Sequence, residues 1–303
     1  MLKTVGCVLA LAVGFLLGSV SRISRHKECL VPVIPAPIPQ APTTAQAKQF
    51  THLLKHAVAG SLYDELGACA AGDAGCDISV AGAYNAELRR TGGDWPLVGH
   101  TMIGLVRLDV IAEQLTRIID QGVAGDFVEL GIWRGGACIF AQSLFRFRGQ
   151  TSRKVIGMDV FDRMPGYGSE RIQSYLAVPV DKVRHNFDKY GVLDANVHLI
   201  KGLFADTLPT FAGLSQSIAF LRIDGNFYHS YESSLYYLYD LVPVGGVVYF
   251  DDIPNFKDCL RAWEDFKRDQ GLPETLTYTE GCGSWFVKQK KGTVDIKFYQ
   301  SHK

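Results

Sequence analysis

Short apolar segments between residues 127 and 251 constrain the fold of this chain more than any other feature. They lie at 127–129, 155–159, 197–200, 218–224 and 247–251, and stretches with helical patterning separate them. Short segments that are apolar on both faces are typical of central strands in a parallel sheet that helices cover on each side. The sequence therefore predicts a doubly wound α/β fold.

The regions on either side of these segments predict further elements. They are helices over 46–68, 102–119 and 258–270, a loop or insertion over 67–82, and a carboxyl-terminal β-hairpin that pairs 275–279 with 284–288. We divide the chain into an amino-terminal segment, a Pro-rich linker, a helical or lid region and an α/β domain, at residues 1–29, 30–45, 46–125 and 126–303.

The amino-terminal segment is the most apolar part of the chain. Residues 4–21 carry no charge, and as a helix they would extend about 27 Å against a hydrocarbon core of about 30 Å. Arg22, Arg25 and Lys27 follow, and then a proline-rich spacer. A single-pass anchor is favoured, with the domain on the cytosolic side, because basic residues are more numerous after the apolar run than before it. A cleaved signal peptide, which would place the domain in the secretory-pathway lumen, stays open.

The charge balance excludes some classes of protein. The chain has 31 basic and 31 acidic residues among 303, but four bases and one acid give residues 1–29 a net charge of +3, which leaves −3 for the remainder. Proteins that bind nucleic acid usually have a basic excess, so we expect no such partner. The 17 Phe, 13 Tyr and 4 Trp residues exclude a disordered chain.

Seven cysteines are spread along the chain without the paired spacing of a zinc site, so we expect no structural zinc. Cys69 and Cys76 border a small Ala/Gly/Asp-rich loop. They are either bridged or free thiols, and the sequence does not decide between the two.

The residues at the predicted strand ends indicate a ligand. The first strand leads into Glu-Leu-Gly-Ile-Trp-Arg-Gly-Gly at 129–136, and the second ends at Asp159. The turn lacks the Gly-x-Gly-x-x-Gly pattern that seats a dinucleotide pyrophosphate, which disfavours a nicotinamide-dependent dehydrogenase. An acid after the second strand can accept hydrogen bonds from both ribose hydroxyls. The two acids, Glu129 and Asp159, therefore point to S-adenosylmethionine.

Three further acids follow the fourth and fifth predicted strands, namely Asp224, Asp251 and Asp252. Adjacent parallel strands would bring them to one sheet edge, where they repel one another unless a cation lies between them. Oxygen ligands select a hard ion, which predicts Mg²⁺, with Mn²⁺ or Ca²⁺ as replacements. Such an ion beside a methyl donor would bind the acceptor oxygen and lower its pKa. The alternative is that Asp252 caps the following turn.

With these motifs the chain resembles the macrocin O-methyltransferases, over roughly residues 84–288. The matching segments are 94–96, 100–104, 129–137, 183–187, 190–191, 206–209, 221–225, 243–246 and 251–252. The resemblance implies a class I methyltransferase, Rossmann-like fold with a mostly parallel seven-stranded sheet. It also implies an O-methyltransferase that transfers a methyl group to a sugar, a glycoside or another small-molecule hydroxyl acceptor.

The resemblance also implies the site residues. Mg²⁺ would be held by Asp224, Asp251 and Asp252. S-adenosylmethionine would be bound by Thr101, Met102, Glu129, Gly131, Trp133, Arg134, Gly135, Asp159, Phe161 and Gly202. The helices before the sheet could mediate homo-oligomerisation.

The chain departs from the family pattern after the fourth strand. Asn226 stands where the family has an Asp that is a candidate general base, and an amide cannot accept the acceptor's proton. His229 and His100 are the candidate replacements, because imidazole titrates near neutral pH. Their non-catalytic alternatives are an exposed His229 at a helix start and a capping or substrate-positioning His100. The alternative function is a pseudoenzyme that binds cofactor and metal without methyl transfer.

Overall fold

The computed structural model describes residues 42–63, 67–70, 84–164, 167–292, 294–296 and 299. These described residues form one compact unit. The helices in the described part are α1 Thr44–Ala59, α2 Ala86–Thr91, α3 Gly104–Asp120, α4 Gly136–Phe147, α5 Glu170–Leu176, α6 Val180–Lys189, α7 Phe204–Thr207, α8 Tyr228–Leu238 and α9 Lys257–Gln270, with 3-10 turns at Leu208–Gly213 and Tyr239–Leu241. The strands are β1 Gly67–Ala70, β2 Asp94–Pro96, β3 Asp126–Leu130, β4 Val155–Asp159, β5 Val197–Lys201, β6 Ile218–Ile223, β7 Val247–Phe250, β8 Thr277–Tyr278 and β9 Ser284–Val287.

Seven of these strands form the main sheet, in the order β5-β4-β3-β6-β7-β9-β8. The pairs from β5 to β7 are parallel, and the β8–β9 hairpin adds two antiparallel strands at the edge. The predicted mostly parallel seven-stranded sheet with a carboxyl-terminal hairpin is thus confirmed. The strand order reverses between β3 and β6, and ligands of open α/β sheets bind in the crevice beyond the strand ends at such a point.

Alternate residues of the central strands enter two different apolar cores. Phe127 packs in one core with α1, α3 and α4, whereas Val128 packs in the other with α8 and α9. All six residues of β6 and all four of β7 are buried. The sheet is therefore covered on both faces, which explains why its strands read as continuous apolar segments.

The amino-terminal helical region deviates from the prediction in two places. The first helix is shorter than predicted, because Gly60 adopts the left-handed conformation at φ 72° and caps α1 after Ala59. The predicted loop over 67–82 begins with β1, which pairs with β2 in a separate two-stranded sheet.

Several predictions fall on residues that the structure does not describe. They include the amino-terminal anchor or signal segment and the side chains of Cys69 and Cys76. Among the described helices, none combines the length and the apolar character that crossing a membrane requires.

Candidate active site

A cavity of about 710 Å³ lies beyond the carboxyl ends of β3, β4, β6 and β7. Its volume is within the range of small-molecule sites, about 300–1,000 Å³. The segment before α3, the described residues of 162–164 and 167–176, and the β8–β9 turn complete its walls. The sheet thus provides the floor, and connecting segments provide the sides.

The turn after β3 is held against the neighbouring strand end. Gly131 has φ 83°, and a Cβ atom there would lie 1.9 Å from the carbonyl oxygen of Asp224. The backbone N–H of Asp224 donates to the carbonyl of Leu130. This close approach places the β3 turn and Asp224 in the same cavity, and only glycine permits it.

Asp159, at the end of β4, organises the same turn. Its Oδ2 accepts hydrogen bonds from the backbone N–H groups of Ile132 at 2.9 Å and Trp133 at 3.0 Å, and its Oδ1 accepts from Phe161 at 3.0 Å. Burial raises the pKa of Asp159, and the backbone donors oppose that rise. The carboxylate therefore supports the shape of the turn as well as lining the cavity.

Glu129 lies beneath the cavity. Its carboxylate pairs with the Arg222 guanidinium and accepts a hydrogen bond from the Cys138 thiol, and the residue is only 2% exposed. Burial raises its pKa, and Arg222 counteracts this effect. The Glu129 carboxylate is thus a buried counter-ion of Arg222.

The predicted cofactor residues divide into two groups. Half of them line the cavity, namely Thr101, Met102, Gly131, Trp133 and Asp159. The others lie outside its lining, namely Glu129, Arg134, Gly135, Phe161 and Gly202. Arg134 instead donates to the carbonyls of Pro96 and Gly99 and stacks on Trp133.

Asp224, Asp251 and Asp252 form one wall of the cavity, which we call the carboxylate wall. Asp251 Oδ2 accepts from Arg107 Nη1 at 2.6 Å, and its Oδ1 lies 2.5 Å from Arg222 Nη2 in an ion pair without hydrogen-bond geometry. Arg222 Nη2 also donates to Asp224 Oδ2 at 3.1 Å. The predicted clustering of these acids is therefore observed, together with two arginines.

Asp252 is held mainly by backbone donors. Its Oδ2 accepts from the N–H groups of Gly225 at 3.1 Å and Asn226 at 2.9 Å, and from the Tyr231 hydroxyl at 3.1 Å. Burial and the charge of Asp251 raise its pKa to about 6.

The pKa values of the other two acids of the wall are shifted in opposite directions. Burial and the charge of Asp251 hold the pKa of Asp224 well above its usual range. Burial opposes ionisation of Asp251 as well, but Arg107 and Arg222 lower its pKa below the ordinary value. Across the described ranges, no group of three or more His, Cys, Asp and Glu side chains is already arranged to hold a metal ion.

The structure brings Asn226, but neither candidate histidine, into the cavity lining. The His229 side chain is 83% exposed on α8 and lies 3.5 Å from Glu232. His100 Nδ1 lies 2.8 Å from the Tyr190 hydroxyl, and burial together with nearby cations lowers its pKa to about 4. A helix start gives no information about which way an exposed side chain points, so the sequence alone could not place His229.

Sequence reasoning missed the two arginines. Arg222 stands two residues before Asp224, and this spacing places both side chains on one face of the strand. This two-residue spacing could have predicted the proximity of Arg222 to Asp224. Arg107 reaches Asp251 across 144 positions of sequence, and no local pattern indicates this contact.

Comparisons with known proteins agree with this architecture. The chain matches the macrocin-O-methyltransferase (TylF) family over residues 61–288. It is 37% identical over 213 residues to an 8-demethyl-8-(2,3-dimethoxy-alpha-L-rhamnosyl)-tetracenomycin-C 4'-O-methyltransferase of Streptomyces olivaceus, covering 67% of this chain and 80% of the relative. It is 35% identical over 218 residues to a demethyldecarbamoylnovobiocin O-methyltransferase of Streptomyces niveus, covering 68% and 82%.

A solved structure extends the similarity to the whole fold. The O-methyltransferase NovP superposes with a TM-score of 0.72 at 32% identity, covering 80% of this chain and all of that one. The sheet, the cavity at its carboxyl edge and these matches together place the chain in the macrocin O-methyltransferase family, as an O-methyltransferase.

Proposed function

We propose that this O-methyltransferase moves the methyl group of S-adenosylmethionine to a hydroxyl of a sugar, a glycoside or a related small molecule, assisted by Mg²⁺. One observation carries the proposal. A single cavity is lined by the turn after β3, by Asp159 and by the carboxylate wall. A methyl donor and an acceptor oxygen can therefore be held next to each other in one cavity.

The cofactor is assigned to the end of the cavity formed by Thr101, Met102, Gly131, Trp133 and Asp159. Asp159 uses its oxygens for backbone donors, yet a carboxylate has about four lone-pair sites, so it can also accept from ribose hydroxyls. The remaining predicted residues support this end from outside the lining. Arg134, for example, stacks on Trp133 and fixes its ring.

The carboxylate wall suits a divalent cation by its charge. In the part of the chain that the structure describes, Glu129 and the three acids of the wall are matched by two guanidiniums, those of Arg107 and Arg222. Four carboxylates against two cations leave two negative charges when all are ionised. Within the described residues, Asp224 Oδ1 and Asp252 Oδ1 accept no hydrogen bond and are available as ligands. A bound Mg²⁺ supplies the positive charge that makes the acceptor hydroxyl more acidic.

The chain's own residues orient the acceptor. Asn226 lines the cavity with φ 58°, a conformation that Asn tolerates better than most residues. Its side-chain amide can donate a hydrogen bond to the acceptor oxygen but cannot remove the proton. A glycoside acceptor is further supported by the relative from Streptomyces olivaceus, whose name specifies a rhamnosyl substrate.

The test is methyl transfer by the purified chain with S-adenosylmethionine, MgCl₂ and a panel of glycosides and phenols, with product and S-adenosylhomocysteine measured by mass spectrometry. We expect methylation of at least one glycoside, and loss of turnover with EDTA or in Asp224→Asn. Asp258→Asn, at an exposed carboxylate on α9, is the matched control and should behave as wild type.

Calorimetric titration with S-adenosylmethionine separates the possible failures. No cofactor binding in the presence of Mg²⁺ would contradict the proposal outright. Binding without turnover on any acceptor, with turnover appearing only in Asn226→Asp, would instead favour a pseudoenzyme.

A further inference from the structure

Arg107 connects α3 to the carboxylate wall. Its side chain is 7% exposed, Nη1 donates to Asp251 Oδ2 at 2.6 Å, and Nε donates to the carbonyl of Ile103 at 2.6 Å. A Cβ atom on Gly92 would lie 2.3 Å from Arg107 Nη2, so the guanidinium is also packed against that backbone. The position of the guanidinium is therefore fixed from two sides.

Arg222 approaches the same carboxylate from the sheet. It is 1% exposed and shares its guanidinium among Glu129, Asp224 and Asp251. It is thus committed to three carboxylates, two of which belong to the wall. Arg107 differs because Asp251 is its single carboxylate partner in the described part of the chain.

The oxygens of the wall are unequally available because of these contacts. Asp252 Oδ2 already accepts three hydrogen bonds, Asp224 Oδ2 accepts one from Arg222, and Asp251 Oδ2 accepts one from Arg107. Asp251 Oδ1 is buried and faces Arg222 Nη2 at 2.5 Å, so neither oxygen of Asp251 is free. Asp224 and Asp252 can each offer one oxygen to a cation while the other oxygen stays occupied. Two single-oxygen carboxylates are compatible with Mg²⁺, which retains several waters, whereas Ca²⁺ takes six to eight oxygens and gains more from each further carboxylate oxygen.

We propose that Arg107 is a positioning residue that sets the cation selectivity of the wall, by keeping Asp251 Oδ2 unavailable and thereby disfavouring Ca²⁺ relative to Mg²⁺. The inference rests on the cation assigned to this wall under the proposed function. It adds a residue outside the ligand set that decides which cation the ligands accept.

The experiment is calorimetric titration of the full chain, without S-adenosylmethionine, with MgCl₂ and separately with CaCl₂. Arg107→Met removes the donor and its charge but keeps an unbranched side chain of similar length. We expect both cations to bind more tightly to this variant, because a neighbouring positive charge is gone. The Kd for Ca²⁺ should fall about tenfold more than the Kd for Mg²⁺, since Asp251 Oδ2 becomes free as a further carboxylate oxygen.

Two variants serve as controls. Arg107→Lys keeps a charged donor near Oδ2 and should retain the wild-type ratio of the two Kd values within about twofold. Arg268→Met makes the same substitution at a 68% exposed arginine on α9 and should change neither Kd. Circular dichroism verifies folding. Arg107→Gln, with a shorter neutral side chain, is expected to shift the ratio in the same direction if the Met variant does not fold.

The outcomes separate this inference from the function on which it rests. Equal changes in the two Kd values, or none, in Arg107→Met would overturn the role of Arg107 while leaving the cation site intact. Absence of binding of either cation to wild type and variants would overturn both the cation assignment and the inference built on it.

Discussion

Gly131→Ala tests whether the turn after β3 is as tightly constrained as the structure indicates. The left-handed conformation at φ 83° costs an alanine about 1–2 kcal/mol. The added Cβ would also lie 1.9 Å from the Asp224 carbonyl oxygen, so backbone must move before the atom fits. Overpacking of this kind costs about 1–3 kcal/mol. We expect a total loss of about 2–5 kcal/mol in the free energy of unfolding.

Gly122→Ala is the matched control. Gly122 has φ 64°, and a Cβ atom there meets nothing within 4 Å, so the variant carries the conformational cost without the clash. Urea titration of both variants isolates the contribution of the close approach as their difference. For a domain of this size each kcal/mol lowers Tm by about 2–4 °C, which makes the difference measurable by thermal unfolding as well.

The same substitution should also impair the cavity. Relief of the clash displaces either the β3 turn or Asp224, and both line the cavity. The Kd for S-adenosylmethionine should therefore rise for Gly131→Ala and stay unchanged for Gly122→Ala. Equal destabilisation of the two variants, with unchanged cofactor affinity, would refute the reasoning.

Three further perturbations follow from individual contacts. Glu129→Gln removes one of the three carboxylates that pair with the Arg222 guanidinium, while Asp224 and Asp251 remain. We expect a loss of about 1–3 kcal/mol in urea titration, and an unchanged free energy of unfolding would contradict the buried pair. The pKa of His100 is about 4 in the folded state, against 6.5 ordinarily. Between these two pH values the unfolded chain binds more protons than the folded chain, so the free energy of unfolding decreases as pH falls from 6.5 towards 4. His100→Gln should lose less stability than wild type between pH 7 and pH 5, and equal losses would exclude this contribution. Asp159→Asn replaces a carboxylate that accepts backbone N–H groups by an amide. In calorimetry this should raise the Kd for S-adenosylmethionine about tenfold or more. An unchanged Kd would argue against a role for Asp159 in binding the cofactor.

The sheet was predictable because its strands are buried on both faces. The segment 155–159 coincides with β4, and the other central strands agree within a few residues. Strands of this kind are predicted well from the sequence, because their apolar residues are the ones that the fold buries. The end of α1 was less predictable because apolar periodicity continues past Gly60, where the left-handed backbone stops the helix.

Some residues that line the cavity were predictable from their place after a strand, whereas the direction of other side chains was not. Asp224, Asp251 and Asp252 follow adjacent strands and do line one wall. Asn226 also reaches the cavity, because it follows Asp224 in the same turn. His100 and His229 do not line the cavity, since their side-chain directions depend on a partner such as Tyr190 or on exposure to solvent. Neither influence leaves a signal in local sequence.

The interior of the sheet also contains a charged pair that the apolar pattern of its strands does not reveal. Glu129 and Arg222 are register partners on β3 and β6, and Tyr249 is the next partner on β7. A cross-strand pair of opposite charge within two largely apolar strands stabilises one register and disfavours a slip of one residue, which would separate the charges. Because Asp224 lies two residues beyond Arg222, the same pair also fixes the face on which the carboxylate wall begins. The ion pair thus connects sheet register to the site, and Glu129 affects the cavity through Arg222 without lining it.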